Sequence, residues 1–132
     1  MDPSLWGYNG WAFIHNIALG YNDINNYQTK NNFNIFFNSI GDVIPCKKCS
    51  KHYKEYILNN PPNLENKDSL FKWTIDIHNN VNKILNKDII TYEEAYDIWL
   101  NNKKNKNNNN NKIINYFLII LIIIIIIIKI IF

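Results

Sequence analysis

Cysteine is scarce in this chain of 132 residues: there are two, Cys46 and Cys49. Two sulfurs close at most one bridge, which excludes the heavily stapled scaffolds of small secreted domains. Positive charge is also scarce where a globular domain would show it. Residues 1–100 hold nine lysines against eleven acidic residues, so the formal net charge of +3 arises from five lysines beyond residue 100. A domain with that balance carries no basic footprint for nucleic acid. The N-terminus, MDPSLWGYNG, lacks a basic segment followed by a continuous apolar one, and no cleavable signal peptide is read there. Period-two alternation of apolar and polar residues is rare as well, which argues against strands.

Long apolar runs are absent until the C-terminal end. There, about 20 apolar positions run from Ile113 to Phe132, interrupted by Asn115 near one edge and Lys129 near the other. At ~1.5 Å per residue that run makes ~30 Å of helix, the thickness of a bilayer's hydrocarbon core. Residues 113–132 are therefore expected to span a membrane, with the Lys129 stem reaching the interface. Residues 101–112, NNKKNKNNNNNK, have no apolar side chain to bury and are expected to act as a tether. Lys103, Lys104, Lys106 and Lys112 flank the span and predict that the preceding domain, residues 1–100, faces the cytoplasm.

Within that domain helical spacing recurs, which predicts an all-α fold of four helices and a short fifth. The first helix is expected from about Ser4 to Gly20, with Trp11, Ile14, His15 and Ala18 on one face. The second is expected to start at Thr29 as cap, to place Phe33, Phe36, Phe37 and Ile40 inward, and to close at Gly41. Pro45 suits the first turn of a third helix carrying Cys49, Tyr53, Tyr56 and Ile57. A fourth, from Asp68 or Ser69 to about Asn86, aligns Phe71, Ile75, His78, Val81, Asn82 and Leu85. The fifth opens on a Thr91–Glu94 capping box and carries Ala95, Ile98 and Trp99.

The two cysteines form a C-x-x-C pair, a spacing that serves both redox and metal chemistry. Cys46 in a first turn would receive unpaired N–H groups and the positive end of the helix dipole. Lys47, Lys48 and Lys51 add charge within a turn, and all of these favour thiolate over thiol. A zinc site is the alternative, with Cys46 and Cys49 joined by two of His15, His52 and His78. A third reading leaves the cysteines as buried apolar residues. The fourth helix bears on the choice. His78 and Asn82 lie on its inward stripe, with Asn79 and Val81 beside them, and a buried amide without a partner costs ~1–3 kcal/mol. A flat heteroaromatic ligand between the helices would supply partners.

WGYNGWAFIH, then PCKKC about thirty residues on, then LFKW with HNNVNKILNK, then Trp99, resembles in order the Erv/ALR family of FAD-dependent sulfhydryl oxidases. The resemblance covers residues 5–99, and the membrane-tailed minimal form is most similar to the thiol oxidases of large cytoplasmic DNA viruses. It implies a four-helix bundle with a short fifth helix holding FAD. It also implies that Gly7, Tyr8, Trp11 and His15 line the flavin from the first helix. His78, Asn79, Val81, Asn82, Lys83 and Lys87 would form the main FAD wall, the two lysines facing the pyrophosphate, with Trp99 at the adenine end. Tyr8 stands where the family often has arginine.

By the same resemblance Cys49 is the flavin-proximal sulfur and Cys46 the outer one, and no metal is required. The partner would be a dithiol protein, thioredoxin-like or glutaredoxin-like in kind, whose electrons pass through the cysteine pair and FAD to dioxygen, giving peroxide. Many relatives carry a second, shuttling cysteine pair; this chain has none, so the substrate must reach Cys46 directly. Many relatives are homodimers, which the sequence leaves open here. The setting implied is a membrane, with a virion membrane as the narrower expectation. The rival reading is a zinc-stabilised helical adaptor anchored at a membrane.

Overall fold

The computed structural model describes residues 1–22 and 26–101, together with 117, 119 and 120. Four longer helices, α1 (Pro3–Leu19), α2 (Tyr27–Val43), α3 (Lys47–Asn59) and α4 (Lys67–Ile84), precede a short α5 (Tyr92–Tyr96) and a π-helical turn at Asp97–Asn101. No strand occurs among the described residues. The chain divides into two units, Met1–Ala95 and Tyr96–Phe132. The first contains all four longer helices and the second contains the π-helical turn. The expected tether and span lie outside the described residues except for Asn101, Phe117, Ile119 and Ile120. Among the described residues no helix is long and apolar enough to cross a membrane.

Each longer helix starts on a side-chain cap. Asp2 accepts from the Ser4 N–H at 2.9 Å ahead of Pro3, Asn26 from Gln28 N–H at 2.9 Å, and Asn66 from Ser69 N–H at 2.9 Å. Such caps each stabilise by ~1 kcal/mol. The second helix thus begins at Asn26 rather than at the expected Thr29, because Asn26 already offers a short carboxamide to the first free N–H groups.

Gly41 does not end α2, which runs on to Val43. The glycine is buried under α3: a Cβ there would lie 2.7 Å from Lys54 Cγ and 3.3 Å from Tyr53 Cδ1. Ser50 Oγ donates to the Gly41 carbonyl from the same side. Its small size serves close approach of two helices, not termination.

In the first unit, α1 packs on α4, α2 on α3, and α3 on α4, so α4 is enclosed on more than one side. Leu70, Phe71, Trp73, Thr74, Ile75 and Ile77 are all buried, a wider band than the single stripe expected from spacing. Phe37 of α2 is fully buried with its ring edge-on to Trp73 at 5.1 Å, and its carbonyl accepts from Tyr53 OH at 2.8 Å. One residue thereby joins three helices. The stripe also ends sooner than expected: Leu85 is 49% exposed. Helix α4 has closed by then in a Schellman turn, with Asn86 at φ 53°. Lys87 N–H donates to Asn82 O at 2.9 Å and Asn86 N–H to Lys83 O at 3.2 Å.

The Thr91–Glu94 capping box forms as expected. Thr91 N–H donates to Glu94 Oε2 at 2.8 Å, and Glu94 N–H donates to Thr91 Oγ1 at 3.2 Å. Ala95 is fully buried, Ile98 is exposed, and Trp99 is half-buried in the π-helical turn.

Truncating Phe37 to alanine removes the ring that meets Trp73 and leaves a cavity among α2, α3 and α4. We expect Phe37→Ala to cost ~3–5 kcal/mol in urea-denaturation stability, against less than ~1 kcal/mol for the exposed Ile35→Ala.

Candidate active site

Cys46 and Cys49 are joined in a disulfide with their Cα atoms 5.2 Å apart, and both residues are half-buried. The position of Cys46 corrects the sequence expectation. It is the N-cap of α3, not a first-turn residue, and Pro45 lies before the helix. Its backbone is extended (φ −121°, ψ 110°), and its sulfur accepts from the Cys49 N–H at 3.2 Å. The sulfur does what a serine or aspartate oxygen does at other helix starts. An N–H aimed at Cys46 stabilises negative charge there whenever the disulfide opens. Lys47, Lys48 and Lys51 are exposed around it.

The start of α1 is tied to this turn. The Met1 ammonium donates to Pro45 O at 3.0 Å. Gly7 and Trp11 then follow ~6 Å and ~12 Å along the helix from its start. Gly7 is half-buried, and a Cβ built on it would meet nothing within 4 Å, so the flank of α1 is open there. Tyr8 is 82% exposed.

Further along α1, His15 is fully buried against α4. Its Nδ1 lies 2.9 Å from Thr74 Oγ1 and its Nε2 lies 3.0 Å from His78 Nδ1. Trp11 stacks flat on His78, with ring centroids 4.2 Å apart and planes within 9°. Burial is the first cause holding both imidazoles neutral. It lowers His15 to about 3, assisted by His78, and His78 to about 4, assisted by the positive charge of Lys87.

Thr74 was not among the candidates read from the sequence. The available signal was its spacing: a hydroxyl four residues before His78, on the α4 face that also carries the buried Phe71 and Ile75.

The remaining candidates on α4 divide by what their side chains do. Asn79 donates to Ile90 O at 2.7 Å and accepts from Ile90 N–H at 2.9 Å, which fixes the segment leading into α5. Asn82 donates to Asp88 O at 3.2 Å and is half-buried, as is Val81. Lys83 and Lys87 are exposed. Trp99 belongs to the second unit.

The zinc alternative requires two histidines facing the cysteine pair. Both ring nitrogens of His15 are instead taken by Thr74 and His78, and the two sulfurs are bonded to each other. His52 is half-buried on α3. Among the described residues no group of three or more histidine, cysteine or acidic side chains is gathered as a metal site.

Four packed helices with a C-x-x-C disulfide capping one of them, and an aromatic and imidazole cluster between two others, define a helical protein of the dithiol–disulfide class. The comparisons agree. The model of the Erv1 / Alr family matches residues 8–100, and the chain belongs to that family. A protein of Acanthamoeba polyphaga mimivirus described as a "probable FAD-linked sulfhydryl oxidase" is 41% identical over 100 residues, covering 74% of this chain and 70% of its own length. An FAD-linked sulfhydryl oxidase of African swine fever virus is 34% identical over 94 residues, covering 71% of this chain and 79% of its own. Among solved structures, the yeast Erv1 core superposes with a TM-score of 0.72 at 29% identity, covering 76% of this chain and 85% of that one. The FAD binding domain of Saccharomyces cerevisiae Erv1 gives 0.71 at 30% identity, covering 75% and 94%.

The two neutral imidazoles make stability depend on pH. In the unfolded chain each takes up a proton near 6.5; in the fold they resist protonation down to about 3 and about 4. The unfolded state therefore binds more protons between those limits, and stability, complete above 6.5, falls as pH drops through this window. At pH 5 the loss is on the order of 2 kcal/mol for His15 and less for the more exposed His78. Urea denaturation at pH 7 and pH 5 should show this loss. His15→Leu should be less stable at pH 7 but show a clearly smaller difference between the two conditions.

Proposed function

We propose that this chain is an FAD-dependent sulfhydryl oxidase that introduces disulfides into a dithiol protein partner, with dioxygen as the acceptor and peroxide as the product. The observation that carries the reading is the Cys46–Cys49 disulfide capping α3 in a chain of the Erv1/Alr family. The residues fit FAD. Trp11 and His78 present a flat, neutral stacked pair, α1 is open at Gly7, and Lys83 and Lys87 are exposed cations suited to a pyrophosphate. Asn82 and Val81 complete the α4 side. His15 and Asn79 act behind this wall, one holding His78 and the other holding Ile90. When bound, FAD accepts two electrons from the reduced cysteine pair and hands them to dioxygen.

The protein's own part begins with a substrate thiolate attacking Cys46 Sγ. The Cys46–Cys49 bond breaks, a mixed disulfide forms, and Cys49 leaves as a thiolate. A second substrate thiolate then attacks the substrate sulfur of that mixed disulfide and releases Cys46. The substrate has lost two electrons and two protons, and the pair has gained the electrons. Release of Cys46 is favoured by the Cys49 N–H aimed at its sulfur and by Lys47, Lys48 and Lys51, since a better-stabilised thiolate leaves faster. Cys49, one turn into the helix, is the flavin-proximal sulfur in this reading.

The sulfurs are therefore unequal, and spectra of single variants test this. Cys46→Ser should retain FAD, leave a Cys49 thiolate beside the oxidised flavin with a long-wavelength absorption band, and lose turnover. Cys49→Ser should retain FAD without the band and trap substrate on Cys46. A band in Cys49→Ser alone would reverse the assignment. A colourless wild-type protein that binds zinc, with both variants equally unfolded, would support the adaptor instead.

The tail enters the proposal from sequence alone. Residues 113–132 anchor the domain as a single-pass segment, residues 101–112 tether it, and the domain faces the cytoplasm, with a virion membrane as the setting that suits disulfide formation on a reducing side. Removing residues 101–132 should release the protein from membranes while FAD content and thiol oxidation persist. Loss of FAD on truncation would make the tail part of the fold.

A further inference from the structure

Lysine is unevenly distributed over the domain. Residues 1–100 hold nine lysines, and four of them, Lys47, Lys48, Lys51 and Lys54, fall within the first eight residues of α3. Outside residues 42–55 the balance is reversed, with five lysines against nine acidic residues. The stretch that carries the disulfide is thus a basic patch on a domain that is otherwise acidic.

Local structure does not account for the patch. Cations are disfavoured at the start of a helix, where the macrodipole is positive, and α3 has no acidic residue in its first turn to offset them. Two of the four lysines have an acid within reach: Lys54 pairs with Asp42, and Lys51 with Glu55 at 3.7 Å. Lys47 and Lys48 are exposed, and among the described residues neither has an acidic partner. They directly follow Cys46 and separate it from Cys49. On the segment entering the turn, Val43 is 76% exposed and Pro45 is exposed. The Met1 ammonium also reaches this turn, its charge offset by the adjoining Asp2 carboxylate.

We propose that Lys47 and Lys48 are specificity determinants, and that the dithiol oxidised at Cys46 belongs to a protein segment whose cysteines are flanked by acidic residues. Charge complementarity is one reason: a face this positive gathers an anionic partner and repels a cationic one. The chemistry of the incoming thiol is the other. Carboxylates beside a thiol keep it protonated in solution, so an acid-flanked cysteine is a poor nucleophile until it docks. Against Lys47 and Lys48 those carboxylates are paired, and the thiolate forms at the sulfur it has to attack. Val43 and Pro45 supply an apolar contact beside the charged one. Cys46 receives the partner itself, because the chain contains no third cysteine to relay electrons to it. The inference rests on the thiol–disulfide reaction proposed above and names the class of its substrate.

The test uses the full chain and three synthetic peptides that share one Cys-x-x-Cys core, flanked by Glu, by Ser or by Lys. Under anaerobic conditions each peptide dithiol gives two electrons and two protons to the Cys46–Cys49 disulfide, and the peptide disulfide formed is counted by mass spectrometry. Each rate is divided by the same peptide's rate with hydroxyethyl disulfide, a small neutral disulfide, which removes the intrinsic reactivity of its thiols. The acidic peptide should then react ~10-fold faster than the neutral one and the basic peptide slower, within the range of electrostatic effects on association. At ~0.5 M salt, where charges are screened beyond ~4 Å, the three should converge. Joint replacement by Lys47→Glu and Lys48→Glu should reverse the order of the acidic and basic peptides. Acidic residues suit the first turn of a helix, so this variant keeps its fold. A ratio between peptides cancels any change in the sulfur chemistry common to both, and selective docking alone moves it. Equal rates at low salt overturn the proposal, and so does an order that survives the double charge reversal. Protection of Lys47 and Lys48 from acylation by phosphatidylserine vesicles, with none by the acidic peptide, also overturns it and gives the patch to a membrane. The proposed function fails separately: peptides that open the disulfide in the expected order, with no FAD bound and no dioxygen consumed, keep the substrate class and remove the oxidase.

Discussion

Burying an imidazole as completely as His15 obliges the fold to supply a partner for each ring nitrogen, and the α1–α4 seam is arranged around that obligation. Thr74 and His78 meet it from α4, one turn apart, so the two helices can pack at only one register that leaves no buried polar atom of His15 unmatched. A slide of one residue along either helix would break both contacts at once. Trp11, one turn before His15, is carried onto His78 by the same register. The ligand-facing surface is thereby a consequence of how the core polar line is satisfied.

The same economy governs α3. Cys46 holds the helix start through its sulfur and is half of the disulfide, so the structural cap and the chemistry share an atom. Opening the disulfide need not cost the cap, because a thiolate accepts the Cys49 N–H better than a disulfide sulfur does. The close approach that brings α3 onto α2 runs through Gly41, with Ser50 and Lys54 crossing over it. Phe37 and Tyr53 complete that seam and, through Trp73, connect it to α4. The cysteine turn is thus braced from α2, while the Met1 contact to Pro45 ties it to the start of α1.

Much of this was legible in the residue order. Three-four spacing located all five helices, the Thr91–Glu94 box marked α5, and the C-x-x-C with its lysines and the His–Asn stretch of α4 pointed to the chemistry. These features are local: a cap, a turn or an amphipathic face depends on residues within a few positions of one another. What was misread was also local in appearance but tertiary in cause. Gly41 has the look of a helix stop, yet α2 continues because α3 needs the space a side chain would fill. Leu85 continues the apolar spacing of α4, yet Asn86 has already turned the chain away. Thr74 reads as an ordinary helix residue until α1 brings His15 to it.

The sequence by itself determined the all-helical class and the helix starts to within a few residues, because each follows from short-range sterics and hydrogen bonding. It left open which partners His15 and His78 would find. Only tertiary packing decided that, by placing residues 63 positions apart within 3.0 Å in a site too dry to hold a charged imidazole. A preference of that kind belongs to no single residue: the desolvation that keeps both rings neutral exists only once α1 and α4 have closed on each other.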